Sequence, residues 1–232
     1  MQKYRLLILD FDGTLCVTHE AIIYCIRQTF AAFDVPRPEE ADMRRTIGMG
    51  IGLEETFASL NPMLHSEQVS SLSSWITTYR RIYNSGEGQA RTHLFPNVRS
   101  VLRKVSDSGI AVVLWSNKGE VAVRAAMERF RIAEFISLAA CDAPGIQKKP
   151  APDSFKRVIR PAFPHIAPAE TLVVGDTAAD ILFARNVVAD SCWASYGYGR
   201  AEECLPLKPT FTIQRFTDLR MILFTSDAER GR

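Results

Sequence analysis

Apolar positions follow two rhythms along this chain. Leu6-Leu7-Ile8-Leu9, Ala111-Val112-Val113-Leu114-Trp115 and Thr171-Leu172-Val173-Val174 are nearly unbroken apolar runs. Runs without polar residues at alternate positions suit strands buried on both faces of a parallel sheet. Phe135 to Ala139 leads into a shorter strand, and Ser191 to Ser195 and Phe211-Thr212-Ile213 are the last strand candidates. Between these runs the apolar spacing changes to three and four. Val98, Val101, Leu102 and Val105 share one helical face. Val121, Ala125 and Met127 mark a second helix, Phe155, Val158 and Ile159 a third, and Ile181, Ala184 and Val187 a fourth. Strands alternating with helices predict βαβ units and a doubly wound, Rossmann-like parallel sheet.

The stretch from Cys16 to about Arg91 breaks this alternation. It contains no convincing strand. Ala21, Ile22, Tyr24, Cys25, Ile26, Phe30 and Phe33 recur at helical spacing, and Val35-Pro36-Arg37-Pro38 ends that helix. A second helix starts near Glu39, a third carries Leu53, Phe57 and Leu60, and a long amphipathic one runs from Val69 to Tyr83. The predicted organisation is therefore a core of residues 1–15 and 92–225, an all-helical insert of residues 16–91, and a frayed tail at 226–232. Gly48-Met49-Gly50-Ile51-Gly52 does not follow a strand, so it is read as a helix–helix loop over a site rather than as a dinucleotide fingerprint.

Composition narrows the function classes. With 232 residues, 28 Lys and Arg against 26 Asp and Glu, the net charge is +2, which argues against a dedicated nucleic-acid or membrane surface. No stretch has the ~20 apolar residues of a membrane span. A core strand begins within a few residues of the N-terminus, so no signal peptide is expected. The five cysteines, Cys16, Cys25, Cys141, Cys192 and Cys204, lack metal-ligand spacing and are read as reduced, consistent with a cytoplasmic protein.

The chemistry-bearing residues collect where strands end. Asp10 and Asp12 follow the first strand, Ser116 and Asn117 the second, and Asp176 and Asp180 the Thr171 strand. In a doubly wound sheet those ends form one crevice. Asp12-Gly13 by itself also fits a hairpin turn, but the matching residues at later strand ends favour a site. Several carboxylates form a hard oxygen site of the kind that suits Mg²⁺. A hydroxyl, an amide and a lysine nearby suit a phosphate group. Together they describe phosphoryl transfer through an aspartyl-phosphate. His19, His65 and His93 are read as surface or packed-face residues, and Tyr196-Gly197-Tyr198-Gly199-Arg200 as a flexible lip.

Asp10-Phe11-Asp12-Gly13-Thr14, Ser116-Asn117, Lys149-Pro150-Ala151-Pro152-Asp153 and Gly175-Asp176 with Asp180 follow one another in order. In this the chain resembles the haloacid dehalogenase superfamily, and within it the phosphoglycolate-phosphatase-like branch with a helical cap, from Arg5 to about Leu223. The resemblance implies a fold and a set of roles. Asp10 would be nucleophile and metal ligand. Asp12 would protonate the leaving oxygen, activate water and lend its backbone carbonyl to the metal. Thr14, Ser116, Asn117 and Lys149 would bind phosphate. Asp176 would hold Mg²⁺, and Asp180 would support it from behind or, alternatively, cap its helix. The implied activity is Mg²⁺-dependent hydrolysis of a small phosphorylated metabolite by a monomer or homodimer, with 2-phosphoglycolate foremost. A phosphosugar mutase, or a phosphatase for nucleotides, sugar phosphates or pyrophosphate, stays open. Asp12 argues against dehalogenation, and the lack of lysine between Cys16 and His93 argues against a phosphonate-cleaving Schiff base. Arg44, Arg45 and the Gly48–Gly52 loop are candidates for closing over the substrate. Cys16-Val17-Thr18-His19, Asn97 and Asn186-Val187 depart from the usual pattern.

Overall fold

The computed structural model describes residues 3–65 and 69–224, so the 226–232 segment lies outside the described residues. Six parallel strands form the central sheet: β1 (Leu6–Leu9), β4 (Ala111–Gly119), β5 (Leu138–Asp142), β6 (Thr171–Gly175), β7 (Asp190–Ala194) and β8 (Phe211–Ile213). Their order is β5-β4-β1-β6-β7-β8. Leu6 to Leu9 pair with Ala111 to Leu114 on one side and with Thr171 to Val174 on the other.

Both faces of β1 are covered, which explains its unbroken apolar run. Leu7 and Leu9 point with Val112, Leu114, Leu172 and Val174 toward helix α6 (Val98–Asp107) and helix α7 (Glu120–Arg129). Leu6 and Ile8 point with Val113, Trp115 and Val173 toward a π-helical segment at Phe155–Ile159, continued by the short helix α8 (Arg160–Ala162), and toward α9 (Ala178–Asn186). The expected face of α7 is corrected. Ala122, Val123, Ala126 and Met127 are its buried residues, and Val121 is exposed. Asn97 takes the left-handed backbone at φ 63° that precedes α6, a conformation asparagine tolerates better than most residues. Two short helices, α10 (Ala201–Cys204) and α11 (Leu219–Phe224), complete the C-terminal part.

The chain leaves and re-enters the sheet through a small antiparallel ribbon of β2 (Cys16–Val17) and β3 (His93–Leu94). The sequence reading missed this ribbon because two-residue strands have no measurable periodicity. Between its strands lie α1 (His19–Ala32), α2 (Glu40–Gly48), α3 (Leu53–Leu60), α4 (Val69–Asn84) and α5 (Glu87–Ala90). These helices bury their own cluster, including Ile26, Phe30, Met43, Phe57, Trp75 and Tyr79. Trp75 stacks on Phe33 at 4.6 Å and meets Phe30 edge-on at 4.8 Å. The five cysteines are unpaired. Among the described residues no helix is long and apolar enough to cross a membrane.

Candidate active site

A cavity of about 230 Å³ lies where the helical layer meets the carboxyl ends of β1 and β4. Asp10, Asp12, Ser116, Asn117 and Lys149 line it from the sheet side, and Ile22, Ile47, Leu53, Tyr79 and Tyr83 from the helices. Thr14, Asp176 and Asp180 sit beside it rather than in its wall.

Lys149 is the hub. Its ammonium donates to Asp10 Oδ1 at 2.5 Å and to Asp180 Oδ1 at 2.6 Å, with its side chain 4% exposed. Burial alone would drive its proton off, but the two carboxylates outweigh burial and hold its pKa above the ordinary lysine value. Its neighbour Lys148 turns away and pairs with Glu54. Asp180 has no spare side-chain oxygen, because Oδ2 accepts the Thr177 amide N–H at 3.0 Å and the Thr177 hydroxyl at 2.8 Å. It caps its own helix, one of the two roles offered, and it fixes Lys149.

Carboxylate oxygens of Asp10, Asp176 and Asp180 all lie within 4.8 Å of one another. Burial pushes Asp10 up to about 7, with Lys149 opposing and Asp180 adding to the rise. Burial, then Asp10 and Asp180, raise Asp176 far above the usual carboxylate range. One lysine therefore leaves this acidic cluster short of positive charge. A bound divalent cation fits such an all-oxygen, charge-deficient set. Gly13 makes room for the Asp176 carboxylate. At φ +77° it turns β1 back on itself, and a Cβ there would stand 2.2 Å from Asp176 Oδ2.

Other predicted residues take more specific places. Thr14 donates to Asp176 Oδ1 at 3.1 Å, so its hydroxyl orients that carboxylate instead of meeting the cavity, as a phosphate ligand would. The Asn117 amide is committed at both ends, donating to Gly50 O at 3.0 Å and accepting Lys149 N–H at 3.0 Å. It ties the helical layer to the lysine loop. Ser116 Oγ accepts Lys118 N–H at 3.2 Å, which leaves the hydroxyl proton to offer a ligand. Asp12 stands apart from the other acids, and its carboxylate faces Lys118 at 3.3 and 3.4 Å.

Lys118 was missed in the sequence because β4 was read as ending at Trp115. The strand runs on to Gly119 with its register to β5 shifted between Trp115 and Gly119, and both Ser116 and Lys118 line the cavity. Burial opposes its charge, but Asp12, Tyr83 and Tyr79 more than offset that and raise its pKa well above the lysine value. The predicted lip is a brace. Tyr198 N–H donates to Asp176 Oδ2 at 2.7 Å, and its hydroxyl accepts the N–H groups of Thr18 at 2.5 Å and His19 at 3.1 Å. His19 stacks on the Tyr198 ring at 3.8 Å, and burial followed by Arg44 lowers its pKa. His93 is exposed, and the side chain of His65 lies outside the described residues.

The glycine loop does sit over the cavity. Gly50 and Ile51 line it, and at φ +67° Gly50 seats so close to the sheet that a Cβ would stand 2.4 Å from Thr177 Oγ1. Arg44 and Arg45 do not line it. They pair with Glu20, Glu40 and Asp42 on the outside of the helices. Arg200 faces Glu202 at 3.5 Å, also outside the cavity.

Residues 7–194 match the family model described as haloacid dehalogenase-like hydrolase. The chain belongs to that family, and it is a hydrolase. It is 25% identical over 232 residues to a phosphoglycolate phosphatase of Vibrio vulnificus, covering 97% of this chain and 98% of the relative. A phosphoglycolate phosphatase of Pasteurella multocida is 27% identical over 232 residues, covering 96% and 100%. A crystal structure of a predicted phosphoglycolate phosphatase from Haemophilus somnus superposes with a TM-score of 0.83 at 22% identity, covering 96% of this chain and 99% of that one. It shares the fold.

Proposed function

We propose that this hydrolase is a Mg²⁺-dependent phosphatase of small phosphomonoesters, with 2-phosphoglycolate its foremost substrate. One observation carries the reading: two carboxylates of one β1 turn face the same cavity in different company. Asp10 is paired with a buried lysine and joined to an acidic cluster, and Asp12 lies apart from that cluster. Two acids held in contrasting surroundings suit separate nucleophilic and acid–base roles.

In this reading Asp10 Oδ attacks phosphorus, the ester P–O bond breaks, and Asp12 gives its proton to the leaving oxygen. Asp12 then takes a proton from water as the hydroxyl attacks the aspartyl-phosphate, which releases inorganic phosphate and restores Asp10. Lys149 and the Ser116 hydroxyl hold the phosphoryl oxygens. Asp10 and Asp176, with the backbone carbonyl of Asp12, would hold Mg²⁺. The ion supplies the positive charge that allows Asp10 and Asp176 to ionise together. Residues 16–91 act as a cap that excludes water from the core of residues 1–15 and 92–225. A cytoplasmic location belongs to the same proposal and accords with the unpaired thiols.

The test is phosphate release from 2-phosphoglycolate with Mg²⁺ and with EDTA, beside a panel of phosphomonoesters. The expected result is Mg²⁺-dependent release with preference for phosphoglycolate, abolished in a folded Asp10→Asn protein. Turnover by Asp10→Asn would overturn the mechanism, and preference for another ester would overturn the substrate.

A further inference from the structure

We propose that Lys118 is the residue that selects the substrate, by pairing with an anionic group one carbon beyond the ester oxygen. This rests on the phosphatase reading and deepens it. The other cations of the cavity wall serve other groups, Lys149 the nucleophile and the phosphoryl oxygens and Arg80 an acid of β5. Lys149 holds Asp10 and Asp180 at 2.5 and 2.6 Å, and Arg80 holds Asp142 at 2.6 Å. Lys118 is held by longer contacts to its acid than either of these. Its contacts to the Asp12 oxygens are 3.3 and 3.4 Å, at the long end for a charge-assisted bond. Its ammonium rests 4.0 Å over the Tyr83 ring, and its side chain is only 9% exposed.

Position gives this cation its meaning. A phosphoryl group at Asp10 with its leaving oxygen at Asp12 directs the rest of the substrate away from Lys149. The Lys118 ammonium is in contact with Asp12, so it adjoins the first atoms beyond the leaving oxygen. The remaining wall there is formed by Tyr79, Tyr83, Ile22 and Leu53, which offer no compensating charge. A carboxylate two bonds from the ester oxygen meets the ammonium, and a long or neutral chain meets apolar wall. The class selected is a short phosphorylated hydroxy acid. A lysine that served only to keep Asp12 in place would treat charged and neutral esters alike.

The deciding measurement compares 2-phosphoglycolate with 2-hydroxyethyl phosphate, which has the same length and no carboxylate. The wild-type protein is expected to favour phosphoglycolate in kcat/KM, and Lys118→Met to reduce that preference by about 30-fold, the worth of one charge-assisted hydrogen bond. Equal losses on both esters in the variant, or a wild-type preference under about threefold on the same scale, would overturn the proposal. Calorimetric binding of both esters to Asp10→Asn, with and without Lys118→Met, gives the same comparison without turnover. There the variant is expected to weaken phosphoglycolate binding by about tenfold more than hydroxyethyl phosphate binding. Equal weakening would overturn the role of Lys118. Discrimination in binding with no turnover of any ester by the wild type would overturn the phosphatase reading and leave Lys118 as an anion-selecting residue.

Discussion

Replacing Lys149 with methionine probes the charge balance of the site directly. The lysine has two contacts of 2.5 and 2.6 Å to carboxylates and almost no exposure. Removing one partner of a buried ion pair costs about 3–5 kcal/mol, because the remaining charge loses its compensation. Here the remaining groups belong to a cluster of three acids. The pH dependence has a definite sign. Asp10 is held at about 7 against an ordinary 3.8, so between these values the folded protein keeps a proton that the unfolded chain has released. Stability linked to that proton is full below 3.8 and is lost as pH rises to about 7. Lys149 lowers the Asp10 value, so its removal moves the upper end of this window higher. The deficit of Lys149→Met is therefore larger at pH 8 than at pH 5.5. Urea denaturation in EDTA, followed by fluorescence of Trp75, Trp115 and Trp193, measures it at both pH values. A variant as stable as wild type at pH 8, or a deficit that grows on acidification, would refute the account.

Further substitutions test other contacts. Gly50→Ala forces a Cβ to within 2.4 Å of Thr177 Oγ1 at a positive φ, and kcat/KM is expected to fall by about tenfold or more as the loop lifts off the sheet. Trp75→Ala empties the centre of the helical cluster and should cost about 3–5 kcal/mol, read as an earlier denaturation midpoint. Arg80→Ala breaks a partly exposed pair with Asp142 and should cost under about 1 kcal/mol in the same assay. Tyr198→Phe removes the acceptor of two N–H groups at the start of α1. A loss of about 1–3 kcal/mol is expected, and a neutral result would exclude the hydroxyl as a brace.

Much of the sheet was readable because burial on both faces leaves the runs Leu6–Leu9, Val112–Trp115 and Leu172–Val174 without a polar residue, and an acid or a serine follows each within two residues. The acids of the site were readable for the same reason. What escaped depends on contacts between distant segments. Thr14 looks like a phosphate ligand until Asp176 is placed beside it, and Asn117 until Gly50 arrives from the helices. Lys118 was hidden by an error of strand length. The arginines of α2 looked suited to a substrate because the sequence does not say which side of a polar helix faces the sheet. Tyr198 was read as flexible from its flanking glycines, although its own amide and hydroxyl anchor it at both ends.

The strand order also dictates a sequence of events during synthesis. β1 is made first, yet one neighbour begins at Ala111 and the other at Thr171. The segment carrying Asp10 therefore leaves the ribosome with no sheet partner, and the helices between β2 and β3 are complete before either partner exists. Those helices can form from nearby contacts, whereas the sheet must wait for distant ones, which are slow to find. Asp176 and Asp180 lie just beyond β6 and join Asp10 and Lys149 only when that strand docks, so the mutual repulsion of the three acids is postponed to a late stage of assembly. A nascent chain stopped before Thr171 would hold a wholly apolar β1 with its β6 edge unpaired and would be prone to aggregate.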